Sequence, residues 1–190
     1  PIKTHWKQPE ERPAVYEGVR KLLEQGAQAY IVCPLIEESE RMQAQAATEL
    51  HAEIEDRWLK GYAVGLLHGQ MPAKEKEAVM EAFRRADLRV LVSTTVIEVG
   101  VDVPKATVMV IEDANRFGLA QLHQLRGRVG RGDAQSYCVL IAKASTPEAE
   151  ERLRALVETT DGFRIAEADL RIRGPGELFG TKQAGQFDFK

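Results

Sequence analysis

The sequence has few of the residues that cross-link small secreted proteins or anchor proteins in membranes. It contains two cysteines, Cys33 and Cys138, each within an apolar run and not spaced as Cys-x-x-Cys. We therefore predict reduced core residues instead of a disulfide framework, which favours a cytoplasmic protein. No apolar run approaches the roughly 20 residues that span a bilayer, and no signal-peptide pattern precedes the first helix, so no membrane association is expected.

An excess of positive charge is also missing, because the formal net charge is −3. Contacts with nucleic acid therefore have to come from local basic clusters. None of the 4 histidines is spaced with cysteines or acidic residues as metal ligands are, which predicts no metal site. The chain starts at Pro1 and not at methionine, which we interpret as the sign of an excised fragment.

A phosphate-binding P-loop is absent as well. The tail from Gly174 to Lys182 is rich in glycine, but no glycine in the chain is followed five residues later by Gly-Lys-Ser or Gly-Lys-Thr. Without that spacing the backbone amides cannot surround a triphosphate and the lysine cannot reach it. The chain is therefore not expected to bind and cleave a nucleoside triphosphate unaided.

Short apolar runs alternate with amphipathic stretches over the first 145 residues. Strands are predicted at 29–33, 63–67, 89–93, 107–111 and 136–141, and helices at about 9–25, 39–59, 73–86 and 118–126. This alternation is typical of an α/β fold in which a parallel sheet is sandwiched by helices. Residues 1–9 show no period and predict an irregular leading segment, with Trp6 over a surface groove.

From about residue 146 the pattern changes to helix without strand, followed by a Gly- and Pro-rich tail. We therefore divide the chain into a domain over residues 1–145 and an appended helical hairpin and hook over residues 146–190.

Polar residues directly follow three of the predicted strands, as His68-Gly69, Ser93-Thr94-Thr95 and Glu112-Asp113. Because ligands of parallel sheets gather beyond the carboxyl ends of the strands, we expect one functional rim there. Hydroxyl groups and free turn amides at a strand end suit a phosphodiester chain. His68 is compatible both with a nucleic-acid contact and with a packed or capping histidine.

The most distinctive stretch is Gln124-Leu-Arg-Gly-Arg-Val-Gly-Arg-Gly132, here called the arginine motif. Its arginines offer planar, permanently charged donors, and its glycines let the backbone approach a ligand closely. Phosphate is the natural partner of such a loop. A solvated basic turn at the end of a helix is the alternative interpretation.

The ordered pattern Gln-x-x-Gly-Arg-x-Gly-Arg resembles the last motor motif of superfamily 2 helicases and translocases, and Ser93 to Pro104 resembles their fifth motif. This resemblance implies the second RecA-like motor domain of such an enzyme. Arg128 and Arg131 would then reach the γ-phosphate of ATP held by a neighbouring domain. The resemblance further implies nucleotide contacts by Gln124, Gly100 and Asp102, and DNA contacts by Thr94, Thr95, His68 and Gly69. Asp102 is alternatively a turn cap.

The tail from Asp161 to Gln183 resembles the translocation motif of the RecG family of helicases. In that family a helical hairpin and hook couple motor closure to movement on duplex DNA, and the matching residues are Arg152, Arg173 and Gln183. Arg173 alternatively anchors the following turn. The transcription-repair coupling factor has a related tail, for which we expect Arg-Gly-Ala-Gly where this chain has Arg173-Gly-Pro-Gly.

Taken together, the resemblance implies half of an ATP-dependent DNA helicase that remodels stalled forks and branched double-stranded DNA in recombination and repair. ATP and Mg²⁺ would be held mainly by the absent first RecA-like domain, and a DNA-binding wedge domain would belong to the same chain. Glu112 and Asp113 imitate a Mg²⁺-binding strand end, but the family has no metal site there, which favours a structural role. The remaining alternative is a nucleic-acid-binding module without a motor.

Overall fold

The computed structural model describes residues 2–94, 103–130 and 132–174. Five residues with predicted functions lie outside the described residues, namely Thr95, Gly100, Asp102, Arg131 and Gln183. The predicted hook also lies outside them, beyond Gly174.

The described residues form a six-stranded, wholly parallel sheet with the order β1-β6-β5-β2-β4-β3. The strands are β1 (Ile2–Lys7), β2 (Gln28–Val32), β3 (Val64–Leu67), β4 (Val90–Ser93), β5 (Ala106–Glu112) and β6 (Ser136–Ile141). The predicted parallel α/β sheet is therefore confirmed. After β4 the chain crosses over β2 to β5, which makes the carboxyl end of β2 the point where the direction of the strand order changes.

In the described part of the chain, six α-helices lie between or after these strands. They are α1 (Arg12–Glu24), α2 (Glu40–Glu53), α3 (Ala73–Arg84), α4 (Leu119–Arg126), α5 (Pro147–Glu158) and α6 (Gly162–Arg173). The prediction of one helix over 39–59 needs a correction, because α2 ends at Glu53 and a π-helical turn, Ile54–Trp58, follows. The wider turn places both Ile54 and Leu59 in the core.

Two apolar layers cover the sheet, one on each face. Ala29 and Ile31 of β2 face the layer formed with α1 and the π-helical turn, whereas Tyr30 and Val32 face the layer formed with α3, α4, α5 and α6. This alternation follows from the period of two residues in a strand. A sheet buried on both faces explains why its central strands are continuously apolar.

The leading segment is the main error of the sequence prediction. Residues 2–7 are not irregular but form β1, an edge strand paired with β6 from Ile2 to Lys7. Its side chains alternate, and the exposed Lys3 and His5 face solvent. Trp6 lines a groove between β1 and α5, as predicted, and its indole Nε1 donates to the carbonyl oxygen of Ala142 at 2.9 Å. The sequence offered only six residues with weak alternation and no preceding turn signal.

The hairpin of α5 and α6 begins with two capped helices. The Thr146 hydroxyl accepts from the amide of Ala149 at 3.1 Å, and the Asp161 carboxylate accepts from that of Phe163 at 3.0 Å. The hairpin also contributes Leu153, Leu156 and other apolar side chains to the same core layer as α4. Within the described ranges, no helix is long and apolar enough to cross a membrane.

Both cysteines are buried and unpaired, which confirms their prediction as core residues. Burial raises the pKa of each thiol to about 12. Both therefore stay protonated and unreactive in the folded chain.

Candidate nucleotide and nucleic-acid site

The carboxyl ends of β3 and β4 bring together His68 and Thr94. The amide of Thr94 donates to the carbonyl oxygen of Leu67 at 3.2 Å, so the two strand ends lie side by side. His68 Nδ1 accepts from the amide of Gln70 at 3.2 Å, which is the capping role that the sequence left open. Its other ring nitrogen takes no part in that bond, and Gly69 beside it is exposed. The DNA contact of His68 and Gly69 stays a prediction.

Thr94 is more deeply buried than a residue that contacts DNA at the surface needs to be. The residue is only 3% exposed, and its hydroxyl oxygen has no hydrogen-bond partner among the residues that the structure describes. Buried hydroxyl groups are normally paired, because an unpaired one loses the hydrogen bonds that water would supply. The hydroxyl of Thr94 is therefore a donor in need of an acceptor at the carboxyl edge of the sheet.

Glu112, at the carboxyl end of β5, is held by two neighbours on α1. Arg12 donates to both carboxylate oxygens of Glu112, the shortest contact being 2.7 Å, and the Tyr16 hydroxyl donates at 2.5 Å. Glu112 is 3% exposed. Burial, together with the negative charge of Glu112, raises the pKa of Tyr16 well above its ordinary value. With its oxygens occupied in this way, the carboxylate joins β5 to α1, which accords with the structural role.

Across the described part of the chain, no group of three or more His, Cys, Asp or Glu side chains is placed to hold a metal ion. Asp113 lies at the same rim in a left-handed backbone conformation, with φ of 50°. It begins the short turn that leads to α4.

The arginine motif lies at the opposite edge of the sheet. Its first three residues end α4, and the backbone then turns so that Arg128 and Val129 line a small pocket. The other walls of this pocket are the residues before and at the start of β5, including Val103 and Ala106, and the start of β6 at Ser136. These are the amino ends of the strands.

Gly130 permits this turn for two reasons. Its φ is +80°, a region that side-chain-bearing residues rarely adopt, and a Cβ atom added there would stand 3.2 Å from Cβ of Ile2 in β1. The motif thus lies tightly against the first residue of the edge strand. Glycine at position 130 is therefore required by the fold, independently of any ligand.

Two sets of candidates consequently lie on opposite edges of one sheet. His68, Gly69 and Thr94 follow the carboxyl ends of β3 and β4, whereas Arg128 lies beside the amino ends of β5 and β6. Strands of this length separate the two edges by roughly 20 Å. Among the described residues, the predicted DNA contacts and Arg128 therefore do not form one site.

Gln124 faces a different neighbour from Arg128. It is exposed on α4 and lines the groove between α4 and α6 together with His123, Gly162 and Arg173. Arg173 also lines an adjoining groove with Arg152, where it pairs with Asp169 at 3.5 Å. The structure thus brings Gln124, a predicted nucleotide contact, and the predicted coupling residues Arg152 and Arg173 to two adjoining grooves beside the hairpin.

Arg126 is the residue whose role the sequence analysis missed. The motif groups it with a basic loop, but it is 3% exposed, and its guanidinium donates to atoms of β1, α4 and α5. Helical spacing was the available signal, because Arg126 follows Leu122 by four residues and Leu119 by seven on the buried side of α4.

Comparison with known proteins identifies the family of the chain. A family model described as the helicase conserved C-terminal domain matches residues 14–133, and one described as ATP-dependent DNA helicase RecG, domain 3, C-terminal matches residues 159–190. Proteins named ATP-dependent DNA helicase RecG are similar over the whole chain. The one from Synechocystis sp. is 54% identical and the one from Bacillus subtilis 50%.

A solved structure of RecG bound to a three-way DNA junction matches all of this chain, with 46% identity and a TM-score of 0.77, over 24% of that chain. Domain 2 of the DEAD-box helicase Mss116p, bound to an RNA duplex, matches 84% of this chain and 61% of its own, with a TM-score of 0.63. At 16% identity that second likeness shows the fold alone.

The chain spans 23% of the Synechocystis relative and 28% of the Bacillus subtilis relative. The two matched family models follow one another along the chain in the order of the predicted RecA-like domain and hairpin. The chain therefore belongs to the helicase conserved C-terminal domain family, in the form that RecG helicases carry.

Proposed function

We propose that this chain is the second motor domain of an ATP-dependent helicase that moves on branched double-stranded DNA. The observation that carries the proposal is the placement of the arginine motif and the DNA candidates on opposite edges of one sheet buried on both faces. A rigid body with a nucleotide contact at one edge and a DNA grip at the other converts a change at the first into displacement of the second.

The nucleotide part of the proposal assigns the arginine motif to ATP held by another domain. Arg128 lines a small pocket at the amino edge, and a guanidinium is suited to bind the γ-phosphate of a nucleotide held by another domain. Arg131 follows in the motif, outside the described residues. Arginines supplied to a nucleotide in this way accelerate hydrolysis by about 10³- to 10⁵-fold, since they stabilise the charge on the transferred phosphoryl group.

ATP and Mg²⁺ would be held mainly by the first RecA-like domain. The sequence has no P-loop, and the described residues include no metal-binding cluster of acids. Gln124, Gly100 and Asp102 are proposed as further nucleotide contacts. Gln124 alone among them lies in the described part, exposed on α4.

The DNA part assigns the carboxyl edge at β3 and β4 to the phosphodiester backbone. Thr94 offers a hydroxyl there that is unpaired within the described part of the chain, and His68 and Gly69 lie at the neighbouring strand end. A small displacement of the strand end would expose the Thr94 hydroxyl to a phosphate oxygen. Thr95, outside the described residues, would extend the same grip. The solved RecG relative is bound to a three-way DNA junction, which supports branched DNA as the substrate.

The hairpin would couple ATP-driven closure to DNA movement. Arg152 and Arg173 line one groove, and Arg173 also borders the groove that contains Gln124 of the arginine motif. Gln183 would complete this coupling set from outside the described residues. The proposal also includes fork remodelling in recombination and repair, a wedge domain in the same chain and a cytoplasmic location.

A transcription-repair coupling factor is the second candidate. The RecG model matched over residues 159–190 and the Arg173-Gly-Pro-Gly sequence favour the RecG form. The residues that precede Pro1 in the parent protein distinguish the two candidates, because only a RecG-type helicase should carry a fork-binding wedge there.

The proposal is tested with the Arg128→Ala and Arg131→Ala variants of the intact parent protein. Each should lose about 10³-fold or more of its DNA-stimulated ATP hydrolysis, while nucleotide binding largely survives. Arg84→Ala is a matched control, since Arg84 is exposed on α3 and pairs with Glu81 on its own helix. Unchanged turnover in both motif variants would remove the proposed role of the arginines.

A further inference from the structure

We propose that Arg126 ties α4 to the turn between α5 and α6, so that the hairpin follows any movement of the arginine motif. The inference rests on the proposed motor function, which supplies that movement. It adds a positioning residue to the coupling set of Arg152, Arg173 and Gln183.

The guanidinium of Arg126 donates to three acceptors and lies beside a fourth polar group, His123 Nδ1. One terminal nitrogen donates to the Thr4 hydroxyl in β1 at 3.1 Å and to the carbonyl oxygen of Leu156 in α5. The other donates to the carbonyl oxygen of Thr159 at 2.8 Å and lies 3.3 Å from His123 Nδ1 on α4. The planar fork of arginine matches such a divergent set, whereas a lysine ammonium is a single point of charge.

The two carbonyl groups belong to the end of α5, where the chain leaves the helix. Thr159 is extended, with φ of −145° and ψ of 151°, so the next amides turn away from the last helical carbonyls. Carbonyl groups at a helix end need donors from elsewhere and carry the negative end of the helix dipole. Arg126 supplies both the donors and a positive charge.

Arg126 is a buried cation whose hydrogen-bond acceptors include one hydroxyl group and two backbone carbonyl groups. Within the described ranges, no ion pair joins Arg126 to an acidic side chain. Burial lowers its pKa, because removal from water disfavours the charged form. A buried charge without a counter-ion is costly, and the oriented carbonyl groups are what offset this cost. The Arg126 guanidinium therefore has a preferred position relative to the end of α5, because any movement away from it breaks the hydrogen bonds to these carbonyl groups.

Arg126 is the last residue of α4, and Arg128 follows it by two residues in the turn after the helix. The contact continues beside it, since a Cβ atom on Gly162 would lie 3.3 Å from His123 Nε2, so the start of α6 also touches α4. Arg128 displaced by a nucleotide would therefore pull the α5–α6 turn through a bonded path of three residues.

The tie is tested first by amide hydrogen exchange on the 190-residue chain. The variants are Arg126→Met, Arg126→Lys and Thr4→Val. Arg154→Met is the control, because Arg154 is exposed on α5 and pairs with Glu150 of its own helix. Amides at the end of α5 and the start of α6 should exchange about 10- to 100-fold faster in Arg126→Met, by loss of charged hydrogen bonds. Arg126→Lys should accelerate exchange of these amides nearly as much. Thr4→Val should accelerate it by about 2- to 10-fold, and Arg154→Met should leave it unchanged.

Two outcomes overturn the tie. Unchanged exchange at the turn in Arg126→Met would mean that the guanidinium does not hold the hairpin. An equal acceleration in β2, β4 and β5 would mean that Arg126 supports the whole fold and not the hairpin in particular. If Arg126→Met does not fold, Thr4→Val decides, since it removes one acceptor and leaves the charge in place.

The second measurement is the number of base pairs unwound per ATP hydrolysed by the intact parent protein. Arg126→Lys should lower this ratio by about 2- to 30-fold, the range expected when a coupling contact is lost. A purely structural defect would instead lower hydrolysis and unwinding together and leave the ratio unchanged, which overturns the coupling role. If the wild-type protein hydrolyses no ATP, the proposed motor function fails, while altered exchange at the turn would still support the tie itself.

Discussion

Glu112 illustrates how a neighbouring side chain changes the meaning of a motif. As a sequence, an apolar strand followed by Glu112 and Asp113 imitates a Mg²⁺-binding strand end. In the fold, both oxygens of Glu112 are occupied by Arg12, and one of them also accepts from Tyr16. The carboxylate fastens β5 to α1.

We therefore predict that Glu112→Gln destabilises the chain without altering metal dependence. Loss of the charged hydrogen bonds to Arg12 and Tyr16 should lower the free energy of unfolding by about 1–3 kcal/mol, measured by urea denaturation. In the intact parent protein, the Mg²⁺ concentration that gives half-maximal ATP hydrolysis should be unchanged. A marked rise in that concentration would show that Glu112 serves the metal after all.

Arg126 and Arg128 are two residues apart but differ completely in surroundings. Arg128 is partly exposed and lines a small pocket at the amino edge of the sheet, whereas Arg126 is buried beneath the end of α5. The sequence shows both arginines in one motif, and a shared role in binding phosphate is the simplest interpretation of that motif. The separate role of Arg126 depends on Leu156 and Thr159, about thirty residues later, which no local pattern could connect to it.

Among the strands and helices, β1 shows the limit of pattern reading. The central strands were predicted closely, because short, continuously apolar runs between helices are typical of strands buried on both faces. An edge strand is buried on one side only and carries lysines and a histidine on the other, so its apolar signal is weak. Its pairing with β6 joins residues that are more than 130 positions apart.

We predict that Trp6→Ala lowers the free energy of unfolding by about 1–3 kcal/mol, through loss of a half-buried ring and of its bond to Ala142. His5→Ala is the matched control, since His5 is exposed on the same strand, and its effect should stay within about 0.5 kcal/mol. Urea denaturation of the 190-residue chain measures both. Equally small effects would contradict the packing of β1 on the sheet.

The hairpin was predicted as an appendage, but it shares the core layer of α4 through Leu153, Leu156 and Ile165. Its helices were predicted from the change of pattern at about residue 146, and in the structure Thr146 and Asp161 cap them. Their place of attachment could not be predicted from the sequence. Apolar side chains on α5 and α6 indicate that these helices pack on a partner surface, but they do not identify that surface. The division at residue 145 stays a prediction.

For the molecule as a whole, the separation of the two candidate edges is the feature that matters for function. In the proposed function, a second body holds the nucleotide against the edge at which the arginine motif lies, while the opposite edge contacts DNA. The chain spans about a quarter of its RecG relatives, which leaves room in them for such a body.

We predict that the isolated chain hydrolyses no ATP and binds duplex or forked DNA weakly. Its affinity should fall steeply between about 50 and 200 mM salt, since phosphate contacts of a chain with net charge −3 depend on local basic groups. A coupled ATPase assay and a fluorescence titration measure the two properties, with the intact parent protein as the positive control. Robust turnover by the isolated chain would refute the division of labour between two motor domains.

Amino-acid order alone was sufficient for the parallel sheet between helices, the family of the arginine motif and the likeness of the tail to RecG. These features are local, since apolar periodicity, glycine spacing and short motifs are complete within a few residues. Tertiary structure was needed to make residues 2–7 an edge strand, to place the arginine motif and the DNA candidates on opposite edges, and to bury Arg126 under α5. Each of these depends on contacts between distant parts of the chain, which exist only once the sheet has brought them together.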